Sequence, residues 1–235
     1  MGLMEGLEAL ALGGLAQSSL LLAGLVVYWV RPSAKVIGAL AGFGAGALIS
    51  AVAFDLIPES SDLGNWQLGL WFLIGAAIFV ISDRIVESRF GGGDDGGPLG
   101  IVVGSVVDGV PESIIFGIQI ALGQVISAAF LGAVWVSNIP QALAPSAALA
   151  EAGWSRAKLA GMWGLVVLAC AVTAWLGYLA GVGLGATGDR AAALAAGGLL
   201  AMLTDSLMPY AVQKGGAQAG IWTVVGFGLA LATSS

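Results

Sequence analysis

Histidine is absent from the chain, cysteine occurs once, at Cys170, and only 9% of residues are charged. The missing histidine removes the commonest metal ligand and the commonest general base together. A single cysteine excludes an intrachain disulfide and any thiolate metal cluster; set in an apolar run, Cys170 reads as a small apolar filler. Soluble domains carry about 25% charged residues, so the shortage of charge excludes an ordinary soluble domain. With a net charge of -6 and no basic patch, nucleic acid is excluded as a partner.

What fills the chain is apolar. Hydrophobic residues make up 58% of it, glycine contributes 38 of 235 residues, and the mean hydropathy is +0.97. Apolar runs of about 20 residues recur along the whole length, which is the span a helix needs to cross a bilayer. The class is therefore an all-α polytopic membrane protein, a single transmembrane domain over residues 1–235. The first run, from about Met4 to Val30, is too long for a signal-peptide core and has no basic segment before it, so it reads as a retained span. Breaks between runs give eight expected spans, at roughly 4–30, 34–59, 65–84, 99–120, 124–149, 157–181, 190–211 and 218–234. The connections are short except for a flexible loop at about 85–98, where FGGGDDGGP reads as a solvated linker and Asp94 and Asp95 as solubilising.

Basic residues set an orientation. Arg31 and Lys35 fall in the first loop, Arg84 and Arg89 in the third, Arg156 and Lys158 in the fifth and Lys214 in the seventh, while Arg190 alone lies on the other side. By the positive-inside rule the odd-numbered loops are cytoplasmic and both termini outside. Glu5, Glu8, Asp62 and Asp189 then face outward. Glycines at four-residue spacing, as in Gly177, Gly181 and Gly185, predict close helix packing. Gln17, Ser18 and Ser19, midway along the first span, read as helix-to-helix hydrogen-bonding groups ahead of the alternative, contact with a polar transit path, and Trp29, Trp66 and Trp71 as interfacial anchors.

One device recurs inside the spans. FDLIPES at 54–60 and VDGVPES at 107–113 share the frame Asp-x-x-Pro-Glu-Ser, SNIPQAL at 137–143 keeps Pro followed by Gln, and TDSLMPY at 204–210 keeps Asp and Pro. Residues four apart share a helix face, so Asp108 aligns with Glu112, Asp55 with Glu59 and Ser137 with Gln141. Pro111 has no N–H to donate and clashes with the carbonyl of Val107, freeing backbone oxygen beside the Asp. Such backbone is tolerated at depth only where it lines a cavity or is buried in protein. Counting about nine residues at 1.5 Å each puts Asp108 roughly 14 Å into a core of about 30 Å. Asp55 and Glu59 fall toward the outside and Asp205 toward the cytoplasmic half, so together they trace a polar path. An ionised carboxylate at the bilayer centre costs about 2.5–3.5 kcal/mol, and no Lys, Arg or His sits deep in a span to offset Asp108 and Glu112. A bound cation is the simplest partner. The plainer reading, protonated carboxylates that serve helix packing, suits a lone acid better than a repeated frame.

At these residues the chain resembles the ZIP family of divalent-metal (zinc/iron) transporters, as a divergent bacterial-type member without histidine ligands. The family's fourth span typically reads His-Asn-x-Pro-Glu-Gly and its fifth His-Glu-x-Pro-Glu; here they read Asp108-Gly109-Val110-Pro111-Glu112-Ser113 and Ser137-Asn138-Ile139-Pro140-Gln141-Ala142. The resemblance implies a bundle of eight helices with an internal inverted repeat and a metal site on the fourth and fifth. Asp108 stands in place of the fourth-span His, Glu112 is the unchanged Glu, Ser137 replaces the fifth-span His, Asn138 the neighbouring acid and Gln141 the bridging Glu. Asp205 falls in the family's seventh-span acidic segment. Gly109 lacks the Asn side chain of the family's second site, and the His-rich loop is replaced by GGGDDGG.

The implied function is transport of a divalent metal cation such as zinc, iron or manganese toward the cytoplasm. Asp55, Glu59 and Asp62 would attract it, Asp108, Glu112, Ser137, Asn138 and Gln141 hold it, and Asp205 stand near the exit. Such oxygen ligands suit hard cations, with zinc and ferrous iron still open. No cofactor and no enzymatic activity are expected. The expected partners are the cation and the lipid bilayer, with a homodimer as a candidate assembly, and the expected location is a bacterial plasma (inner) membrane. Two alternatives stay open: a non-transporting homologue that binds or senses the metal, and an intramembrane aspartyl hydrolase using Asp108 or Asp205. A retinal-type light-driven protein is excluded because Lys35, Lys158 and Lys214 all belong to loops.

Overall fold

The computed structural model describes residues 2–90, 97–124, 126–184 and 188–233. The loop aspartates Asp94 and Asp95 lie outside the described residues. Within them all the regular structure is helical: α1 (Leu3–Val26), α2 (Ala34–Ala51), α3 (Ile57–Glu59), α4 (Asn65–Phe90), α5 (Gly97–Ala121), α6 (Ala128–Glu151), α7 (Arg156–Leu184), α8 (Gly188–Met202), α9 (Met208–Gly215) and α10 (Gln218–Thr233). Two five-residue π-helical segments, Val52–Leu56 and Leu203–Leu207, weld α2 to α3 and α8 to α9.

Among the described residues six helices are long and apolar enough to cross a membrane: Leu3–Val26, Ala34–Glu59, Asn65–Ile85, Val102–Ala121, Arg156–Val182 and Gly188–Gly215. The protein is thus an all-helical chain with the character of an integral membrane protein. Gln218–Thr233 is apolar but shorter. Helix α6 has the length, with 24 residues, but Ser137, Asn138 and Gln141 dilute its apolar surface. Helix starts follow local chemistry: the Ser33 hydroxyl accepts from the Val36 N–H at α2 and the Ser127 hydroxyl from the Phe130 N–H at α6. Gly153 and Gly216 take the positive φ that the turns after α6 and α9 require.

With α2–α3 and α8–α9 each counted as one continuous rod, successive helices alternate in direction, as contacts at the two ends show. Arg31 reaches Glu151 at 3.7 Å, the Tyr28 hydroxyl donates to the Trp154 carbonyl, and Arg156 lies over the rings of Tyr28 and Trp29. At the opposite end the Tyr178 hydroxyl donates to Glu5 at 2.8 Å and Arg190 lies over Trp71. Among the described side chains every basic residue except Arg190 therefore belongs to one end, called the basic end below.

Packing is closest where glycine removes a side chain. Helices α4 and α8 cross at Gly75 and Gly197, α5 and α7 at Gly117 and Gly177, and α2 and α10 at Gly46 and Gly226; a methyl group at any of these six positions would overlap the partner helix's backbone. Helix α1 lies against α5, α6 and α7, and α6 meets α2 where Gly44 faces the Ser137 backbone. Between α4, α5 and α8 an apolar cavity of about 270 Å³ remains, walled by Ile78, Phe79, Pro111, Ile114, Leu194 and Gly198 among others.

Candidate functional site

The recurrent Asp/Pro device has two structural outcomes. In α5 and α6, Pro111 and Pro140 sit inside continuous helices. Ahead of Pro58 and Pro209 the helix widens instead: Ile57 N–H reaches back five residues to the Val52 carbonyl, and Met208 N–H five residues to that of Leu203. Each π segment carries one acid, Asp55 or Asp205. The missing proline donor is accommodated by the wider turn.

The middle of the bundle holds a polar cluster sealed from the surroundings. Gln17, Glu112, Ser113, Ser137 and Asn138 are each at most 2% exposed. Gln17 of α1 bridges the two helices expected to share a site. Its Nε2 donates to Glu112 Oε2 at 2.7 Å, and its Oε1 accepts from Asn138 Nδ2 at 2.9 Å. This orientation suits an ionised Glu112, which offers only acceptors, with the Gln17 carbonyl left to face the Asn138 donor. Glu112 Oε1 is buried with no hydrogen-bond partner among the described residues. Gly109 opens the space for this arrangement: a methyl group there would stand 2.6 Å from Cys170 Sγ and 3.4 Å from the Gln17 amide. Cys170 of α7, beyond filling apolar space, thus borders the cluster.

One turn toward the basic end is Asp108, half-buried, with Asp83 of α4 near enough to act on it electrostatically. Further toward that end Asp205 reaches Arg84 at 4.0 Å; both side chains are substantially exposed, so this is a surface pair remote from the sealed cluster. Toward the opposite end, Gln119 lies seven residues beyond Glu112, roughly 10 Å along the same helix face. Gln119 Nε2 donates to both oxygens of Glu59, at 3.0 and 2.9 Å, and Ser127 stands near enough to Asp55 to act on it. Carboxylates thus occur at three levels through the bundle.

The expected site residues are placed unevenly. Glu112 and Asn138 come together through Gln17, Asp108 stands one turn away, and Asp55 and Glu59 form a separate pair in which Glu59 is held by the Gln119 amide. Ser137 turns its hydroxyl to the Val134 carbonyl of its own helix, at 2.8 Å. Gln141 is half-buried; the neighbouring Pro140 carbonyl accepts from the Tyr210 hydroxyl at 3.3 Å. Helices α5 and α6 touch little, because α1 is wedged between them. Among the described residues no three Asp, Glu or Cys side chains converge closely enough to hold a metal ion. A cation at Glu112 would therefore depend on neutral amide and hydroxyl oxygens.

Three residues escaped the frame-based reading, Asp83, Gln119 and Ser127, while Gln17 makes the helix-to-helix hydrogen bonds expected of it. Gln119 carried a usable signal, since its i+7 relation to Glu112 puts it on the same face. The chain matches no protein-family model and no curated protein sequence.

Proposed function

We propose that the protein is a membrane transporter moving a divalent metal cation toward the cytoplasm, as a divergent relative of the ZIP family. The observation that carries this reading is Glu112: a carboxylate 1% exposed, in the middle of the bundle, with one oxygen held by an amide and the other without a partner among the described residues. Among the described residues no cationic side chain neutralises it, and a buried charge without a counter-charge is costly. A transiting cation supplies the missing charge.

Asp55 and Glu59 stand at one end as an attracting pair, Asp108 and Glu112 hold the cation near mid-depth with amide oxygens completing its shell, and Asp205 lies toward release. The crowd of basic residues at one end supports cytoplasmic placement of that end, with both termini outside, in a bacterial plasma membrane. The short α10 and the polar α6 complete an eight-span bundle in this reading. The two π segments, each bearing an acid ahead of a proline, support an internal repeat.

The test is uptake of Zn²⁺, Mn²⁺, Fe²⁺, Cd²⁺, Co²⁺ and Mg²⁺ into vesicles reconstituted with the purified protein. Parent flux for at least one of these ions, abolished in Glu112→Gln and Asp108→Asn variants that still fold, is the expected result; undiminished flux in either variant refutes its place in the site. A second reading, a homologue that binds the metal without transporting it, draws on the lack of three converging acids. Saturable binding with no flux would favour it.

A further inference from the structure

We infer that Gln17 and Asn138 form a reversible amide switch that changes polarity when a divalent cation occupies Glu112. The inference rests on the reading of Glu112 as a cation site. In the structure both amides run one way: Asn138 Nδ2 donates to Gln17 Oε1, and Gln17 Nε2 donates to Glu112 Oε2. That order suits a bare carboxylate, which can only accept.

A cation on Glu112 reverses the demand. The NH₂ group of Gln17 would then point partial positive charge at the ion, while the carbonyl oxygen that the ion needs would face Asn138. Rotation of both amides by half a turn resolves the conflict. Gln17 Oε1 then faces the cation beside Glu112, and Gln17 Nε2 donates to Asn138 Oδ1, so the bond between the two amides is kept with its direction reversed.

The packing suits this motion. Gln17 is 0% exposed and Asn138 2%, so no solvent is at hand to replace a lost hydrogen bond, and an amide's oxygen and NH₂ ends occupy similar volumes. Rotation in place therefore asks for little repacking, whereas withdrawal of Gln17 would leave Asn138 unpaired. Gly109 leaves room beside the Gln17 amide. The neutral switch gives the site a ligand that appears with the cation and turns back to hold Glu112 after the cation leaves.

The test is Mn²⁺ binding to the full-length protein in lipid nanodiscs, followed by loss of the free-ion electron paramagnetic resonance signal. Asn138→Asp offers only acceptors, so it holds Gln17 in the turned orientation, and Mn²⁺ binding is expected to tighten about tenfold or more. In the double variant with Gln17→Met that gain is expected to vanish, and Gln17→Met alone to weaken binding. Retention of the gain in the double variant would show that added charge acts without the switch. Parent-like affinity of Gln17→Met would overturn the switch while leaving Glu112 as a cation site. No Mn²⁺ binding by the parent overturns both. If Gln17→Met does not fold, Gln17→Glu serves: with no amide to turn, Asn138→Asp is expected to add nothing there, and a full tenfold gain overturns the proposal.

Discussion

Gly197 and Gly198 are chemically identical neighbours on α8, and the structure assigns them opposite responses to the same methyl group. At Gly197 an added Cβ would overlap the Phe72 carbonyl oxygen and stand 2.7 Å from its carbonyl carbon, on the crossing with α4. At Gly198 the nearest atoms are the Gly75 carbonyl oxygen at 3.6 Å and Pro111 Cβ at 3.8 Å, which is ordinary contact. Comfortable carbon–carbon contact begins at about 3.5 Å, so Gly197→Ala forces the two backbones apart by at least about 1 Å. Both substitutions gain the same helix propensity, about 0.5–1 kcal/mol, and that term cancels between them. The difference is the overpacking cost, typically about 1–3 kcal/mol. Because the obstacle is backbone and not a side chain that can swing aside, about 2–3 kcal/mol is expected. Equilibrium unfolding in mixed dodecyl sulfate micelles, followed by tryptophan fluorescence, measures it. Gly198→Ala should equal or exceed the parent in stability, and Gly197→Ala should fall well below it. Stabilities within about 0.5 kcal/mol of each other, or Gly198→Ala as the weaker, would refute the crossing geometry.

Two further outcomes follow from the packing and the charges. Trp163 is fully buried and donates from Nε1 to Ser146 at 2.8 Å; Trp163→Phe leaves that hydroxyl unpaired and opens a void, so the same unfolding assay should register a loss of about 2 kcal/mol. Parent-like stability would mean the site relaxes around the smaller ring. Arg84→Gln removes an exposed pair at the limit of ion-pair distance, and the expected change in stability is under about 1 kcal/mol. A larger loss in the melting curve would show that Arg84 has a structural role beyond Asp205.

The spans were largely legible because hydropathy is a local sum. The expected run at 65–84 lies within the helix Asn65–Phe90, and the boundary at Ala34 to Glu59 holds across the junction of α2, the π segment and α3. The frame Asp-x-x-Pro-Glu also flagged Asp55 and Glu59 as a pair, since their spacing fixes a shared face. The widening of the helix ahead of Pro58 and Pro209 was not legible, because Pro111 and Pro140 also follow polar residues in sequence and their helices do not widen. A widened turn depends on what the neighbouring helices accept, not on proline alone.

The candidate site divides along the same line. Sequence periodicity put Asp108 and Glu112 on one face and Ser137 and Gln141 on another, but it could not say which faces meet. That depends on the rotation and offset of helices far apart in the chain: Gln17 and Glu112 are separated by 95 residues, Gln17 and Asn138 by 121. Helix α1, wedged between α5 and α6, replaced the expected direct meeting of the two motifs with a bridge through Gln17.

By itself, the sequence determined a membrane protein with acids placed where lipid penalises them, because a shortage of charge, long apolar runs and the helix period are properties of a strand of residues read one after another. Only the tertiary structure decided that Glu112 answers to Gln17, that Asp205 pairs with Arg84 at the surface, and that Gly197 and not Gly198 sits against another backbone. Contacts between helices are set by relative azimuth and depth, quantities that no single segment contains.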